Sequence, residues 1–379
     1  MKVREKDLLS AYFCSTPYQI ITAIALQHML QEEADIYIIP LFSAASKYAE
    51  NIKKLDVFRN VKLVEDEDIE RNKNLKSKFL IHLRGAYKYL RVDKIVEEIL
   101  IDKSRYNKIY ASSKSFIPRM VYFYCIKHKI NSELIYFDDG EGSYDFKLRI
   151  EPSLADKIIR YFLFGKRSIE NNHKMYLYDP DLYKEINGCI CGERIYPISH
   201  DFTTERFKKI MSIVFEIENK DLISEKAILI DMIKEVKYGD DEVKRINKTY
   251  SEISKMFAKD GIVIKRHPRD TSKYSLEMKC YKNDSIPFEC LCTQIDMDKK
   301  VLIGLYSTAL IIPKMLLDQE PTVILLYRLF KRKNQTEADR KKQDKFYDSC
   351  KNRYASKNKF FIPETFDELT EALLYSSKN

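Results

Sequence analysis

Short apolar runs alternate along the chain with longer stretches in which apolar side chains recur every three or four residues. The short runs have the length and composition of buried strands, and the longer stretches have the periodicity of helices. In the first half, strands are predicted over residues 8–14, 35–40, 61–64, 108–111 and 133–137. Helices are predicted between them over residues 19–31, 45–54, 72–89, 92–100 and 115–127. Strands that alternate with helices form parallel βαβ units, so this half predicts a doubly wound α/β domain.

The same pattern returns in the second half of the chain. Strands are predicted over residues 226–230, 261–265, 301–304 and 322–326, and helices over residues 201–220, 243–259, 307–317 and 331–345. Residues 151–200 show no clear period and are interpreted as helices and connectors that lead out of the first domain. A chain of 379 residues is too long for one ordinary core. We therefore predict two Rossmann-like domains, residues 1–200 and 201–379.

Charge narrows the classes of partner without naming one. The net charge of +9 favours anionic partners such as nucleic acid, phospholipid headgroups or nucleotide-sugars. The 26 tyrosines do not interleave regularly with a basic stripe, so no nucleic-acid partner is predicted. The basic residues 331–345 suit peripheral contact with an anionic membrane. No secretory signal or run of ~18 apolar residues is present, which predicts a cytoplasmic protein.

An acidic turn follows the predicted strand at residues 133–137. Asp138, Asp139 and Gly140 come directly after its last apolar residue, and open α/β sheets bind ligands at the carboxyl ends of their strands. Carboxylates this close raise one another's pKa, which suits a general base. The alternative is an ordinary solvated turn, because Asp-Gly is common turn chemistry.

A basic cluster ends the predicted strand at residues 261–265. It consists of Lys265, Arg266, His267 and Arg269, with Pro268 holding His267 in an extended conformation. Such a cluster is suited to phosphate. A charged surface turn is the alternative interpretation.

Two further strand ends carry hydroxyl groups. Ser307 and Thr308 precede a predicted helix, and Thr16 precedes Pro17 in the first domain as a predicted N-cap. Free N–H groups at a helix start bind anions, whereas plain capping is the alternative for both.

Together these four stretches resemble the bacterial sialyltransferases of glycosyltransferase family 52, and more distantly the polysialyltransferase and marine-type families. The matching elements are Cys-Ser-Thr-Pro-Tyr-Gln at residues 14–19, Phe-Asp-Asp-Gly at 137–140, Lys-Arg-His-Pro-Arg at 265–269, and Ser-Thr at 307–308. The resemblance implies a GT-B fold, two Rossmann-like domains facing across a cleft, with CMP-sialic acid held mainly by the second domain. It places donor-binding residues at Thr16, Gln19, Gly140, Lys265, His267, Pro268, Arg269, Ser307 and Thr308.

The expected function is an inverting transfer of sialic acid to a terminal sugar, galactose, of a capsule or lipooligosaccharide glycan or a lipid-linked oligosaccharide. The departing phosphate needs charge stabilisation, which His267 and its neighbours supply, without a metal or further cofactor. Asp138 is predicted as the base because it follows the strand directly, and Asp139 as support for the loop. Family resemblance keeps Glu235, Asp240 and Asp241 as alternative bases. A GT-B transferase with a different nucleotide-sugar donor is the rival function, a nucleic-acid-binding protein is the less favoured alternative, and a homodimer stays open.

Overall fold

The structure is a computed structural model that describes residues 9–64, 89–102, 106–112, 115–145, 154–169, 173–188, 194–199, 201–257, 261–267 and 279–378. The chain divides into two compact units, Met1–Ser199 and His200–Asn379. Within the described ranges, no helix is long and apolar enough to cross a bilayer.

The first unit contains a seven-stranded parallel sheet. Its strands are β1 (Leu9–Cys14), β2 (Ala34–Ile38), β3 (Asn60–Leu63), β4 (Tyr106–Ala111), β5 (Glu133–Phe137), β6 (Lys174–Leu177) and β7 (Ile195–Pro197). Its described helices are α1 (Pro17–Leu30), α2 (Ala45–Lys53), α3 (Val92–Ile99), α4 (Ile117–Lys127), α5 (Glu141–Tyr144), α6 (Leu154–Phe164) and α7 (Pro180–Asn187). The strand order is β3-β2-β1-β4-β5-β6-β7. The order reverses between β1 and β4, which is where doubly wound sheets leave a crevice for ligands.

The second unit contains a six-stranded parallel sheet. Its strands are β8 (Ala227–Ile230), β9 (Ile262–Lys265), β10 (Lys279–Cys280), β11 (Val301–Gly304), β12 (Thr322–Leu325) and β13 (Phe360–Phe361). Its helices are α8 (Glu205–Phe215), α9 (Lys234–Lys237), α10 (Asp240–Met256), α11 (Phe288–Cys292), α12 (Ile312–Leu317), α13 (Glu337–Asn352) and α14 (Phe366–Lys378). The order β10-β9-β8-β11-β12-β13 places a second switch point between β8 and β11.

The central strands are apolar on both faces because helices cover both sides of a parallel sheet. All six residues of β1 and all four of β8 are buried. In the first core the rings of Tyr12 and Tyr110 stack across neighbouring strands, with centroids 4.4 Å apart. The predicted α/β class with two parallel sheets is confirmed.

Several predicted boundaries need correction. Residues 151–200 are not only helices and connectors, since they also contain β6 and β7, which extend the first sheet. The single helix expected over residues 307–317 is a 3-10 turn, Thr308–Leu310, followed by α12. Pro313 lies in the first turn of α12, where its missing N–H is tolerated, so the α-helix begins there instead. The helix expected over residues 331–345 begins at Glu337, after the N-cap Thr336. Residues 72–88 of another predicted helix lie outside the described residues.

Candidate functional site

Asp138 lies at the carboxyl end of β5 and is completely buried. Its Oδ1 accepts hydrogen bonds from the Tyr18 hydroxyl at 3.3 Å and the Gly140 amide at 2.8 Å. Its Oδ2 accepts from the Tyr144 hydroxyl at 2.6 Å and the Tyr178 amide at 3.2 Å. Burial raises the pKa of Asp138 to about 6, although three of these donors act to lower it. Asp138 is therefore a structural carboxylate that holds the acidic turn to its neighbours.

Asp139 is the half-buried member of the pair. Its Oδ1 accepts a 2.7 Å hydrogen bond from Gln19 Nε2, and its amide donates to Ser143 Oγ at 2.7 Å. Gln19 is itself buried, and its Oε1 accepts from the amide and hydroxyl of Ser15. Thr16 is the N-cap of α1, as predicted, and accepts from the Gln19 amide at 3.2 Å. The first turn of the chain and the acidic turn thus meet at one edge of the first sheet.

The backbone conformation at residue 140 explains why a glycine follows the two acids. Its backbone has φ 84° and ψ −155°, a region that essentially only glycine occupies. This conformation turns the chain so that the Gly140 amide reaches back to Asp138.

These contacts change the roles expected for four residues. Asp138 is buried and its oxygens accept from four donors, which weighs against direct contact with an acceptor, and its role as the base stays a prediction. Asp139 is the carboxylate of the pair with exposed surface. Thr16 and Gln19 engage their side chains in capping and in holding Asp139.

In the second unit Asp284 organises the basic cluster, a role that sequence patterns did not indicate. Arg266 Nη2 donates to Asp284 Oδ2 at 2.6 Å, and Lys265 Nζ donates to the Asp284 carbonyl at 3.2 Å. Lys265 is 3% exposed, and its burial lowers its pKa to about 8. Its ammonium lies 5.1 Å from the centre of the Tyr281 ring. His267 is exposed.

The expectation of a whole cluster open to phosphate therefore needs correction. Lys265 is turned inward and Arg266 is paired, so His267 is the exposed member among the described residues of the cluster. Pro268 and Arg269 lie outside the described residues.

The strand end at β11 places hydroxyl groups next to the switch point of the second sheet. Ser307 Oγ accepts from the Ala309 amide at 3.3 Å and caps the 3-10 turn. Gly304 is required here, because a Cβ at this position would lie 2.7 Å from the Ile230 carbonyl oxygen. Ser307 and Thr308 are both half-buried.

An arginine also lies at this strand end. The Arg332 guanidinium carbon is 4.6 Å from the centre of the Tyr306 ring, and Arg332 pairs with Tyr238 in an antiparallel bridge. Arg332 therefore brings a cation next to the residues that precede Ser307.

Asp231 is a further carboxylate that sequence reasoning missed. It follows β8 directly, as Asp138 follows β5, and this shared position was the available signal. Both Asp231 and Lys234 are buried, and they form an ion pair. Tyr250 donates to Asp231 Oδ1 at 3.2 Å.

The alternative bases lie nearby but in regular structure. Glu235 is exposed on α9, and Asp240 and Asp241 are exposed in the first turn of α10. The loop expected to carry them is therefore largely helical. Acidic residues in the first turn stabilise a helix, so the positions of Asp240 and Asp241 are explained without a catalytic role. Among the described residues, no group of three His, Cys, Asp or Glu side chains is placed to hold a metal ion.

Comparison with known proteins adds a family and a fold. The sequence model of the family described as alpha-2,8-polysialyltransferase matches residues 11–327, and no curated protein sequence matches the chain. Two structures of UDP-GlcNAc 2-epimerase from Methanocaldococcus jannaschii are similar over 98% of this chain and 93% of theirs. The complex with UDP-GlcNAc and UDP has a TM-score of 0.52 at 13% sequence identity. The other structure has a TM-score of 0.50 at 12% sequence identity.

The predicted GT-B class of two Rossmann-like domains is confirmed by this similarity together with the two parallel sheets. The family match confirms the predicted resemblance at the level of sialyltransferases. The closer assignment to glycosyltransferase family 52 and to the lipooligosaccharide type stays a prediction.

Proposed function

The chain belongs to the alpha-2,8-polysialyltransferase family, and on that premise we propose that it transfers sialic acid from CMP-sialic acid to a glycan hydroxyl. The observation that carries the proposal is the family match, which extends through both units. The two switch points support it, because one has acidic side chains at its edge and the other has basic and hydroxyl side chains. A sialyltransferase needs both chemistries, one for the acceptor proton and one for the donor phosphate.

For the donor we propose the carboxyl edge of the second sheet. His267 is exposed after β9, and Ser307 and Thr308 follow β11. Their donors can contact a phosphate that gains charge as the sugar leaves. Arg332, next to Tyr306, supplies a cation for the sialic acid carboxylate or the same phosphate. Lys265 acts through its buried charge and through Asp284, not by direct contact.

For the base we propose Asp139. The acceptor hydroxyl loses its proton as it attacks, so the base must be accessible and ionised. Asp139 meets the first condition, and the 2.7 Å hydrogen bond from Gln19 stabilises the ionised form. One displacement on the donor carbon inverts its configuration, and no step of this scheme calls for a divalent metal.

For the acceptor we propose the terminal sialic acid of an α-2,8-linked chain. This choice rests on the family description, whereas the family 52 resemblance favours a galactose end. The two acceptors are distinguished by the test itself.

The test supplies purified full-length protein with CMP-sialic acid and two fluorescently labelled acceptors, one ending in galactose and one in α-2,8-oligosialic acid. Mass spectrometry should show stepwise addition of sialic acid to the oligosialyl acceptor, unchanged by EDTA. Addition to the galactose acceptor alone would assign the chain to the other acceptor class. Titration calorimetry with CMP, UMP and GMP checks the donor, and preference for UMP or GMP would contradict the proposal.

A further inference from the structure

Helix α6 (Leu154–Phe164) turns apolar side chains toward solvent, whereas its buried side combines the apolar Phe164 with an ion pair. Surface helices of globular proteins normally turn an apolar stripe toward the core and charged residues toward water. In α6 the exposed residues are all apolar: Leu154, Ala155, Ile158, Tyr161 and Phe162. At about 100° per residue these positions occupy one continuous arc of about 120°. We call this arc the outward strip.

The inward face of α6 carries an ion pair. Asp156 and Arg160 are joined at 2.5 Å with side chains only 20% and 17% exposed. The Tyr89 hydroxyl donates to Asp156 at 3.0 Å, and the Arg160 guanidinium lies over the Phe123 ring at 5.1 Å. The charged groups are thus fixed against the first unit by specific partners. These specific contacts fix the rotation of α6 about its axis and therefore determine which side chains face solvent.

The exposure of the outward strip is unusual for the molecule. Phe162 is 81% exposed, Leu154 76%, Tyr161 52% and Ile158 49%. These four are among eleven large hydrophobic side chains that are exposed in the described part of the chain, so one short helix holds more than a third of them. Concentrated apolar exposure of this kind marks a binding surface.

We propose that the outward strip docks on the surface of an anionic phospholipid bilayer. Lys157 borders the strip on the helix, and the exposed Lys166 and the half-buried Arg167 follow its end. Asp156, the one acid of this helix, is turned inward and paired. Apolar and aromatic side chains bordered by lysine or arginine are the composition of helices that lie in the membrane interface, and the net charge of +9 acts in the same direction.

A second copy of the chain is a weaker occupant for this surface. A helix of 11 residues offers a strip roughly 16 Å long and 10 Å wide. That is well short of the ~800 Å² that each partner buries in a stable protein interface.

Because the chain has no tryptophan, Phe162→Trp provides a single fluorescent reporter on the strip. With vesicles of phosphatidylcholine and phosphatidylglycerol, its emission should shift to the blue and be quenched by brominated lipid. With phosphatidylcholine alone the shift should be much smaller. A blue-shifted emission before any lipid is added would show that the strip is already covered by protein, and would overturn the proposal.

Vesicle sedimentation of Ile158→Ser/Phe162→Ser measures the contribution of the strip. Removing two exposed apolar side chains should weaken partitioning at least about tenfold. The control, Ile101→Ser/Leu374→Ser, removes two large apolar side chains that are exposed outside α6, at 45% and 46%, and should bind like wild type. Thermal unfolding verifies that both variants are folded. If Ile158→Ser/Phe162→Ser does not fold, Phe162→Trp still tests the proposal, because tryptophan keeps the outward strip apolar.

Two further results would overturn the proposal. One is equal vesicle binding by wild type and Ile158→Ser/Phe162→Ser. The other is loss of binding in Lys341→Gln/Lys345→Gln together with unchanged binding in the α6 variant, which would assign the contact to the basic residues 331–345. Transfer to a soluble acceptor should be the same in all these variants, so the proposed activity is tested separately.

Discussion

Asp138 shows how a carboxylate can stabilise a fold and still be costly to ionise. Its two oxygens accept from two hydroxyls and two backbone amides, while burial raises its pKa to about 6. A carboxyl with a raised folded-state pKa binds its proton more tightly in the folded state. Its contribution to stability is therefore complete below its unfolded pKa and is lost as the pH rises to about 6.

We predict that Asp138→Asn lowers the free energy of unfolding and makes it less dependent on pH. Asparagine puts an amide group where Tyr144 and the Tyr178 amide donate, and the Tyr178 N–H loses its acceptor at a cost of about 1–3 kcal/mol. Because the pKa rises from 3.8 to about 6, the deficit relative to wild type should narrow by at most about 3 kcal/mol between pH 4 and pH 7. Urea unfolding at several pH values measures it. A deficit that grows with pH would show that Asp138 is stabilised by ionisation.

We predict that Asp139→Asn leaves the fold and CMP affinity intact and lowers turnover. The asparagine oxygen can still accept from Gln19, whereas its basicity is gone, so the rate should fall roughly 10²–10⁴-fold. Steady-state kinetics with CMP-sialic acid is the measurement, and Asp240→Asn is the matched control with an exposed carboxylate. If Asp240→Asn abolished turnover and Asp139→Asn did not, the base would belong to the second unit.

The acidic pair also shows the limit of sequence reasoning at single residues. The strand ending at Phe137 predicted where both acids lie, because the carboxyl edge of a parallel sheet is defined by the apolar pattern. It could not tell which one is buried, since that depends on Tyr144 and Tyr178. These tyrosines are brought to Asp138 by α5 and by the end of β6. Asp284 escaped notice for the same reason, whereas Asp231 could have been noticed from its position directly after β8.

Among whole elements, the strands that the pattern missed are short and stand toward the edges of the sheets. β7, β10 and β13 have three, two and two residues, too few for an apolar period to be visible. β6 has four residues, as many as the predicted β8 and β9, so length alone does not explain why it was missed. Strands β1, β5, β8 and β9 were predicted to within a residue. The exposed apolar strip of α6 could not be predicted, because a helical period indicates an apolar stripe but not the side to which it turns.

Close packing of strand and turn makes Gly304 a sensitive position in the second sheet. We predict that Gly304→Ala destabilises the protein by roughly 1–3 kcal/mol, the usual cost of overpacking. Its Cβ would lie 2.7 Å from a backbone oxygen of β8 and 3.1 Å from Leu310. Gly239→Ala is the control, since its Cβ would meet only the flexible end of Lys333 at 3.9 Å, and its cost as an N-cap change should stay below about 1 kcal/mol. Equal losses in thermal unfolding would contradict the close approach.

At the scale of the whole molecule, both units use the same strand order around their switch points. In each, the first strand of the unit stands beside the fourth, and the order runs outward on both sides. The alternation of strands and helices predicted a doubly wound parallel sheet in each unit, and right-handed crossovers limit the possible strand orders, but the order itself comes from the structure. The proposed function divides the chemistry between the units: the acidic turn belongs to the first sheet, and His267, Ser307 and Thr308 belong to the second.

That division predicts which segments of the protein CMP protects from amide hydrogen exchange. In amide hydrogen exchange, CMP should slow exchange after β8, β9 and β11, around Asp231, His267 and Ser307. CMP should leave amide exchange in the acidic turn after β5 unchanged, because it lacks the sialic acid that reacts with the acceptor. UMP should protect the same segments less.

His267→Ala serves as the variant for this experiment. Losing one charge-assisted contact costs about 1.5–3 kcal/mol, so roughly 10- to 150-fold more CMP should be needed for the same protection. Ser307→Ala and Thr308→Ala should act at the same segments with smaller effects, because a neutral hydroxyl forms a weaker hydrogen bond with phosphate. Protection by CMP at the acidic turn alone, unaffected by His267→Ala, would assign the nucleotide to the first unit. The roles of the two sheets in donor and acceptor binding would then be exchanged.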